Sequence, residues 1–572
     1  MFDTIIKGGD IIDGTGRPRY RADLGLKDGR IASIGDLGAA ESGGTVDATG
    51  KAVCPGFVDV HTHLDAQVFW DTTLSPSPLH GVTSVIGGNC GFTIAPLTDD
   101  PADGEYLMHM LARVEGMPLE SLQAGVPWNW RTTAEYFDAF DGTLSVNTAF
   151  KVGHSALRRV VMGPACVERE ATPEELAQMQ NLLRAGLEAG ALGFSSSYAR
   201  THNDPFGNMV PSRYASRHEL IELARVCSEF EGTSLELIPC VGPFDEAATN
   251  LMTDMSVAAQ TQLNWNVMTV ASGNLDECYA KLEASDHAKA HGGKVVALTV
   301  PMPFSIRLSM AGGFVLDALP EWERAMLAPP AEKMAMLADQ AERDRLDELA
   351  QQPGPLKSLA NWSTKIIFDT FAPDNEQYRG RTVGEIAEEE GKKPFDALCD
   401  IVVADELKTS FGTPPPVSSA EDWKARLEIW RDGRAVIGAS DAGAHLDLFM
   451  TANYTTSMLG QCMREQGLIS MEEAVHLMTD VQARLYGLKQ RGQLQEGWHG
   501  DVVVIDETRV GAKPLTVVAD LPAGAPRLYG EADGVDLVFC NGEEIVRDGR
   551  FTDARPGRHL RSGADTERVD LS

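Results

Sequence analysis

Two histidines one residue apart, His61 and His63, close an apolar run (Phe57, Val58, Val60) within VCPGFVDVHTHLD, residues 53–65. On an extended strand, residues i and i+2 point to the same face, so both imidazoles reach one point in space. Imidazole is the commonest protein ligand for divalent transition metals, and the pair reads as half of a metal site rather than as two structural histidines. Cys90 follows a second apolar run, Thr83–Gly87, inside GGNCGF. Gly87, Gly88 and Gly91 permit a backbone turn there that brings a thiolate, a good zinc ligand, beside the histidines. Asp441 follows a third run in VIGASDAGAHLD. A carboxylate opposite a His-x-His pair coordinates metal and takes a proton from attacking water. The competing role for Asp441 is the N-cap of a helix over Ala442–Leu448. His445 is a candidate partner behind the ligands.

Two further segments carry polar groups after apolar runs. KVGHSALR holds Lys151 and His154, the latter a candidate for orienting a ligand, contacting substrate or stabilising an oxyanion, or a structural histidine. FSSSYARTHND offers Ser196, Tyr198, Arg200 and His202 to a polar substrate group, with Arg200 suited to a carboxylate. A solvated loop has the same composition.

The elements that must position these residues alternate. Strand candidates are Gly56–Val60, Thr83–Gly87, Thr148–Gly153, Ala191–Ser195, Ser234–Ile238, Trp265–Val270, Val295–Val300 and Ala435–Ala439. Helical segments lie between them: Pro173–Leu187 starts after Thr172, a plausible N-cap, and Arg217–Phe230 is another. Their Leu and Met stripes are core. Eight strands with helical crossovers predict an α/β fold, a (β/α)8 TIM-like barrel whose functional side chains gather at the carboxyl ends of the strands. The spacing breaks between strands seven and eight. Pro320–Arg345 and a capped segment Thr382–Lys393 predict a mostly helical insertion at about 303–434, either a lid over the catalytic face or a packing element. Proline-rich character is confined to Gly412–Pro416.

Both ends read as short strands with tight turns. Asp28-Gly29 and Asn541-Gly542 are hairpin signals. Residues 1–57 plus 486–572 therefore predict a small composite β-sandwich, and 58–485 the barrel.

The chain has 572 residues, 43% hydrophobic and 23% charged, with a formal net charge of −33. That size implies more than one domain, and that charge disfavours nucleic acid and anionic membrane as partners. Nine cysteines without a CxxC pair suit a reducing compartment, and no signal peptide or run of ~18 apolar residues is present, so the expected location is the cytoplasm.

Taken together, GFVDVHTHLD, HGVTSVIGGNCGF, VGHSALRRVVMG, GASDAGAH and the C-terminal GQLQEGWHGDVVVID resemble the N-acyl-D-amino-acid deacylase branch of the amidohydrolase superfamily, over nearly the whole chain. The resemblance implies that His61, His63, Cys90 and Asp441 serve a zinc centre. It also implies hydrolysis of a non-peptide amide bond in a small N-acyl substrate. Members of the branch are often oligomeric, which leaves a homo-oligomer open. Histidines that the branch carries at the ends of strands five and six are missing from TSLELIPC and LNWNVMTV. Glu236 and Asn266 fall near those places, Glu236 as an oxygen ligand and Asn266 as a substrate contact. The expectation is one Zn2+, without the ligands of a second. Two other readings stay open at this point: an ester, lactone or cyclic imide as substrate, and a catalytically degenerate barrel acting as a binding or assembly protein.

Overall fold

The computed structural model describes residues 1–240, 242–303, 305–313, 315–354, 356–413 and 418–571. Pro414–Pro416 of the proline-rich stretch lie outside the described residues.

Eight positions along the middle of the chain form strands, all paired in parallel. Phe57–Asp59 pairs with Val82–Gly87, which pairs with Asn147–Phe150. One residue further on, Val152–Gly153 begins a six-stranded sheet that continues through Gly193–Ser197, Ser234–Ile238, Leu263–Met268, Val295–Thr299 and Ala435–Ile437. The first and last strands also meet. Thr62 bridges Ala442 in parallel, His63 N–H donates to the Ala442 carbonyl at 2.7 Å, and Asp441 N–H donates to the His61 carbonyl at 3.1 Å. Most of these strand residues are buried, as expected of parallel strands covered on both faces. The apolar packing runs through Phe57, Val82, Phe150, Phe194, Leu235, Trp265 and Ile437.

The helix over Pro173–Glu188 starts where its chemistry dictates. Thr172 Oγ1 accepts from Glu175 N–H at 3.2 Å, Glu175 returns the bond to Thr172 N–H at 2.8 Å, and Pro173 occupies the first turn. Met179, Leu183 and Leu187 are its buried stripe. The next helix, Arg217–Val226, ends earlier than its apolar pattern suggests, passing into a 3-10 turn over Cys227–Glu229. The Cys227 carbonyl is taken by the Thr233 hydroxyl at 3.1 Å and by Phe230 N–H, which closes the turn.

Between the seventh and eighth strands lie the helices Pro330–Ala338, Gln340–Ala350, Val383–Glu390 and Pro394–Ala404, and a three-stranded antiparallel sheet of Arg307–Ser309, Ser410–Gly412 and Ile366–Asp369. The segment predicted helical from Pro320 to Arg345 is broken. Pro329-Pro330 cannot continue a preceding helix, and Asp339 caps a new one. Thr382 and Glu385 form the expected capping box. Trp322, Trp362, Phe395 and Phe411 belong to an apolar cluster separate from the main one.

Both chain ends share one nine-stranded sheet, in which Ala52–Pro55 lies antiparallel to Val502–Ile505, itself paired with Val535–Cys540. Asp28-Gly29 and Asn541-Gly542 take positive φ, as tight hairpin turns require. No helix among the described residues is long and apolar enough to cross a membrane.

Candidate metal centre

His61 and His63 follow the first strand, Cys90 the second and Asp441 the eighth, and the chain brings their side chains together. One ligand atom from each of His61, His63 and Cys90 lies within 4.8 Å of the others. Cys90 Sγ is 3.6 Å from His61 Nε2 and 3.9 Å from His63 Nε2. Asp441 Oδ1 is 3.0 Å from His61 Nε2 and 3.5 Å from His63 Nε2. The two histidines and the cysteine are buried, whereas the Asp441 side chain keeps 24% of its exposure, so the carboxylate faces the open side of the cluster. No helix follows Asp441, which removes the N-cap reading.

The backbone is bent to achieve this. Cys90, Asp441 and His445 have φ of +56°, +53° and +50°, which non-glycine residues rarely adopt and which concentrates at functional sites. Gly88 permits the Cys90 turn: its φ is +69°, and a Cβ there would come within 2.4 Å of the Lys151 carbonyl oxygen. Ser195 ties the turn down, its hydroxyl donating to the Gly88 carbonyl at 2.6 Å and accepting from Gly91 N–H at 3.0 Å.

Electrostatics divide the cluster. Burial lowers the His61 imidazole to about 4, against the pull of Asp441. Burial acts on His63 too, but Glu115 and Asp441 outweigh it and raise that imidazole to about 9. Burial also opposes ionisation of Asp441, yet its bonds to His61 and His63 hold the carboxyl well below the usual carboxylate range. Burial and the nearby Glu236 push the Cys90 thiol well up. Coordination to a divalent metal would deprotonate that thiol outright. Two imidazole nitrogens, one sulfur and one carboxylate oxygen facing one another form the donor set of a zinc site, so these residues fit such an ion.

Other expected residues are placed differently. His154 is completely buried, with Nδ1 at 2.8 Å from Ser196 Oγ and Nε2 at 2.9 Å from Glu219 Oε1. Arg158 shares that Glu219, so both nitrogens of His154 belong to a packed polar network, in line with the structural reading of His154. Ser196 is spent on His154, and the Tyr198 hydroxyl donates to the Ala215 carbonyl at 2.6 Å. The Asn266 side-chain amide donates to Glu236 Oε1 and is buried. Glu236 Oε2 accepts from Cys90 N–H at 2.7 Å, so Glu236 braces the cysteine turn. Internal partners thus take the Ser196 and Tyr198 hydroxyls and both Glu236 oxygens, and the Asn266 amide nitrogen, whereas Asn266 Oδ1 is buried without a partner. Arg200 is exposed, and His202 Nδ1 pairs with Ser197 Oγ at 2.8 Å.

Sequence reasoning missed Glu115. It follows the helix Pro101–Val114, is buried, and places Oε1 3.5 Å from His63 Nδ1. Its neighbourhood in sequence carries no periodic or spacing signal for that contact. Ser440 was also missed; its hydroxyl donates to Asp59 Oδ2 at 2.6 Å, locking the eighth strand's end against the first.

Comparison with known proteins agrees with this arrangement. A D-aminoacylase of Alcaligenes xylosoxydans xylosoxydans is 29% identical over 98% of this chain and 97% of its own. The N-acyl-D-glutamate deacylase of the same organism is 30% identical over 98% and 97%. The crystal structure of N-acyl-D-glutamate deacylase from Bordetella bronchiseptica, complexed with zinc and a phosphonate mimic of the tetrahedral intermediate, superposes with a TM-score of 0.64. It is 28% identical, and the match covers 98% of this chain and 99% of that one. Residues 44–546 match the pattern of the amidohydrolase family, and the chain belongs to that family.

Proposed function

We propose that this protein is a zinc-dependent hydrolase that cleaves the amide bond of N-acyl amino acids, with N-acyl-D-amino acids as the first substrates to test. The observation that carries the reading is the meeting of His61, His63, Cys90 and Asp441 after three separate strands. The deacylase relatives, similar over nearly their full length, favour an amide over an ester, lactone or cyclic imide. The full donor set favours an enzyme over a degenerate binding protein.

In this reading His61, His63, Cys90 and Asp441 hold the ion, which when bound supplies Lewis acidity that lowers the pKa of water towards ~7. Asp441 Oδ1 faces the two imidazoles, leaving Oδ2 to accept the proton of the attacking water. The same oxygen returns the proton to the departing nitrogen. Glu115 Oε1 lies 3.5 Å from His63 Nδ1 without a hydrogen bond, so it bears on the ring through charge. Arg200, exposed near His202, suits the carboxylate of the amino-acid portion.

The eight parallel strands and the Thr62–Ala442 bridge support a closed (β/α)8 ring. Residues 58–485 form the barrel unit, residues 1–57 with 486–572 the composite sandwich, and about 303–434 the insertion. A panel of N-acyl-D- and N-acyl-L-amino acids, scored by release of the free amino acid, tests the activity. Turnover of a member of the panel that is lost on chelation and regained with Zn2+ is the expected result. No release from any member, with ester cleavage instead, would overturn the amide assignment.

A further inference from the structure

A cavity of about 1490 Å3 opens at the other end of the parallel strands from the metal donors. Lys294 and Gly433, in its wall, stand just before the strands Val295–Thr299 and Ala435–Ile437, whereas Asp441 comes after the second of these. The rest of the wall comes from stretches within 15–30, 476–499 and 558–570. Backbone bonds join them. Arg30 bridges His499 and Leu488 bridges Thr566, both antiparallel, and Lys489 N–H donates to the Asp565 carbonyl at 2.8 Å.

The sign of the charge reverses in this cavity. The chain has 50 Lys and Arg against 83 Asp and Glu, but the wall has eight against four. Two of the eight are neutralised: Arg484 Nε lies 2.9 Å from Asp480 Oδ2, and Arg491 pairs with Asp501. Among the described residues, Arg17, Arg30, Lys294, Lys489, Arg558 and Arg568 form no ion pair. Neutral acceptors orient three of these. Arg30 Nη1 donates to Gln490 Oε1 at 2.7 Å, and the Asp570 and Gly563 carbonyls each take a lysine Nζ, of Lys294 and Lys489, at 2.7 Å. Their charge stays uncompensated. Arg17, Arg558 and Arg568 are exposed, and among the described residues their guanidiniums meet no acceptor. Burial lowers the His499 imidazole to about 4, and Arg491 and Arg30 push the same way against Asp501 and Asp565.

A concave site lined by one sign of charge focuses the field and concentrates ions of the other sign. The net charge of −33 repels a large polyanion and leaves entry to a small one. The guanidinium fork matches phosphate oxygens two at a time. Six uncompensated cations suit an anion of roughly three or four charges, which a short phosphate chain carries in a small volume. Trp498, half-buried in the same wall, has no ring stacked on it among the described residues.

We propose that this cavity binds a small polyphosphate anion, its phosphate chain on Arg17, Arg30, Arg558 and Arg568 and, where the ligand is a nucleotide, its base against Trp498. The wall draws on both ends of the chain, so the bound anion stabilises the folded protein.

Calorimetric titration of the full-length, zinc-loaded protein with ATP, inorganic triphosphate and adenosine tests the site. The buffer holds about 150 mM salt to screen diffuse attraction, and excess Mg2+ to keep the phosphates from extracting zinc. ATP or triphosphate is expected to bind at one equivalent per chain with Kd below about 1 mM and to raise the unfolding temperature, while adenosine alone does neither. Arg17→Gln combined with Arg568→Gln weakens binding at least about tenfold, and both side chains are exposed and unpaired, so the fold is retained. Lys392→Gln combined with Lys408→Gln removes as many charges from the surface between strands seven and eight and changes the affinity less than about twofold. ATP binding at least about tenfold tighter than triphosphate assigns a nucleotide, and equal affinities assign the phosphate chain alone. No saturable binding of either probe, or an affinity that the Arg17 and Arg568 substitutions leave unchanged, would overturn the inference. Turnover does not enter the measurement, so the hydrolase reading stands or falls separately.

Discussion

At the scale of single residues, each role rests on what a side chain faces. Asp441 presents one oxygen to two imidazoles and keeps part of its surface open, which is the geometry of a base beside an approaching substrate. Asp441→Asn keeps an oxygen for coordination and loses the proton acceptor. We expect turnover to fall by about 10²–10⁴ with fold and metal content largely retained, measured by amino-acid release and elemental analysis. Unchanged turnover would remove Asp441 from the mechanism. Glu115 acts only through His63, so Glu115→Gln should weaken zinc binding about ten- to hundredfold in chelator competition. An unaltered zinc affinity would leave Glu115 a packing residue. The convergence of His61 and His63 was legible in the sequence because residues two apart share one face of an extended strand. Cys90 and Asp441 were legible because each follows an apolar run. Glu115 was not, since a helix end reaches His63 only through tertiary packing. Ser196 and Tyr198 after the fourth strand are ambiguous for the same reason: a serine or tyrosine reads alike whether it meets a ligand or, as Tyr198 does, a backbone carbonyl.

At the scale of elements, local chemistry fixes where segments begin, and packing decides where they end. Each predicted barrel strand overlaps an observed one, with ends displaced by a few residues where the chain turns toward the site. The capping signals at Thr172 and Thr382 hold in the structure. The break at Pro329-Pro330 was passed over in reading Pro320–Arg345 as helical, and the closing of the Arg217–Val226 helix by Thr233 needed the folded context. Thr172→Ala should cost about 1 kcal/mol in denaturant unfolding, because it removes the acceptor for Glu175 N–H. An unchanged midpoint would show that the cap is dispensable. Glu175 gives this cap a pH signature. Its bond to Arg169, with help from Thr172 N–H, lowers its carboxyl from 4.5 to about 2. A depressed folded-state value stabilises the protein above the unfolded value, and that contribution is lost as pH falls from about 4.5 towards 2. Glu175→Gln should flatten the acid limb of the stability curve in that window, and an identical limb would contradict the assignment.

At the scale of the whole molecule, two features matter: a net charge of −33 and a terminal sheet that draws on both ends of the chain. Self-repulsion of that size predicts an unfolding temperature that rises when monovalent salt goes from ~10 mM to ~150 mM, as screening shortens from about 30 Å to about 8 Å. A fall over that range would show that attractive surface pairs dominate instead. The paired ends were visible beforehand as hairpin signals at both termini. The strand order that interleaves them, with Val502–Ile505 seated between Ala52–Pro55 and Val535–Cys540, was not, because register between distant segments leaves no local trace. The sheet also reaches the parallel strands: Asn541 Nδ2 donates to Asn147 Oδ1 at 2.7 Å, tying a C-terminal turn to the third of them. X-ray absorption at the zinc edge of the purified protein tests the central claim most directly. It should show one sulfur at about 2.3 Å with nitrogen and oxygen neighbours at about 2.0–2.2 Å, and Cys90→Ser should abolish the sulfur shell. Zinc bound without sulfur in the unsubstituted protein, or a sulfur shell that survives Cys90→Ser, would contradict the centre built from His61, His63, Cys90 and Asp441.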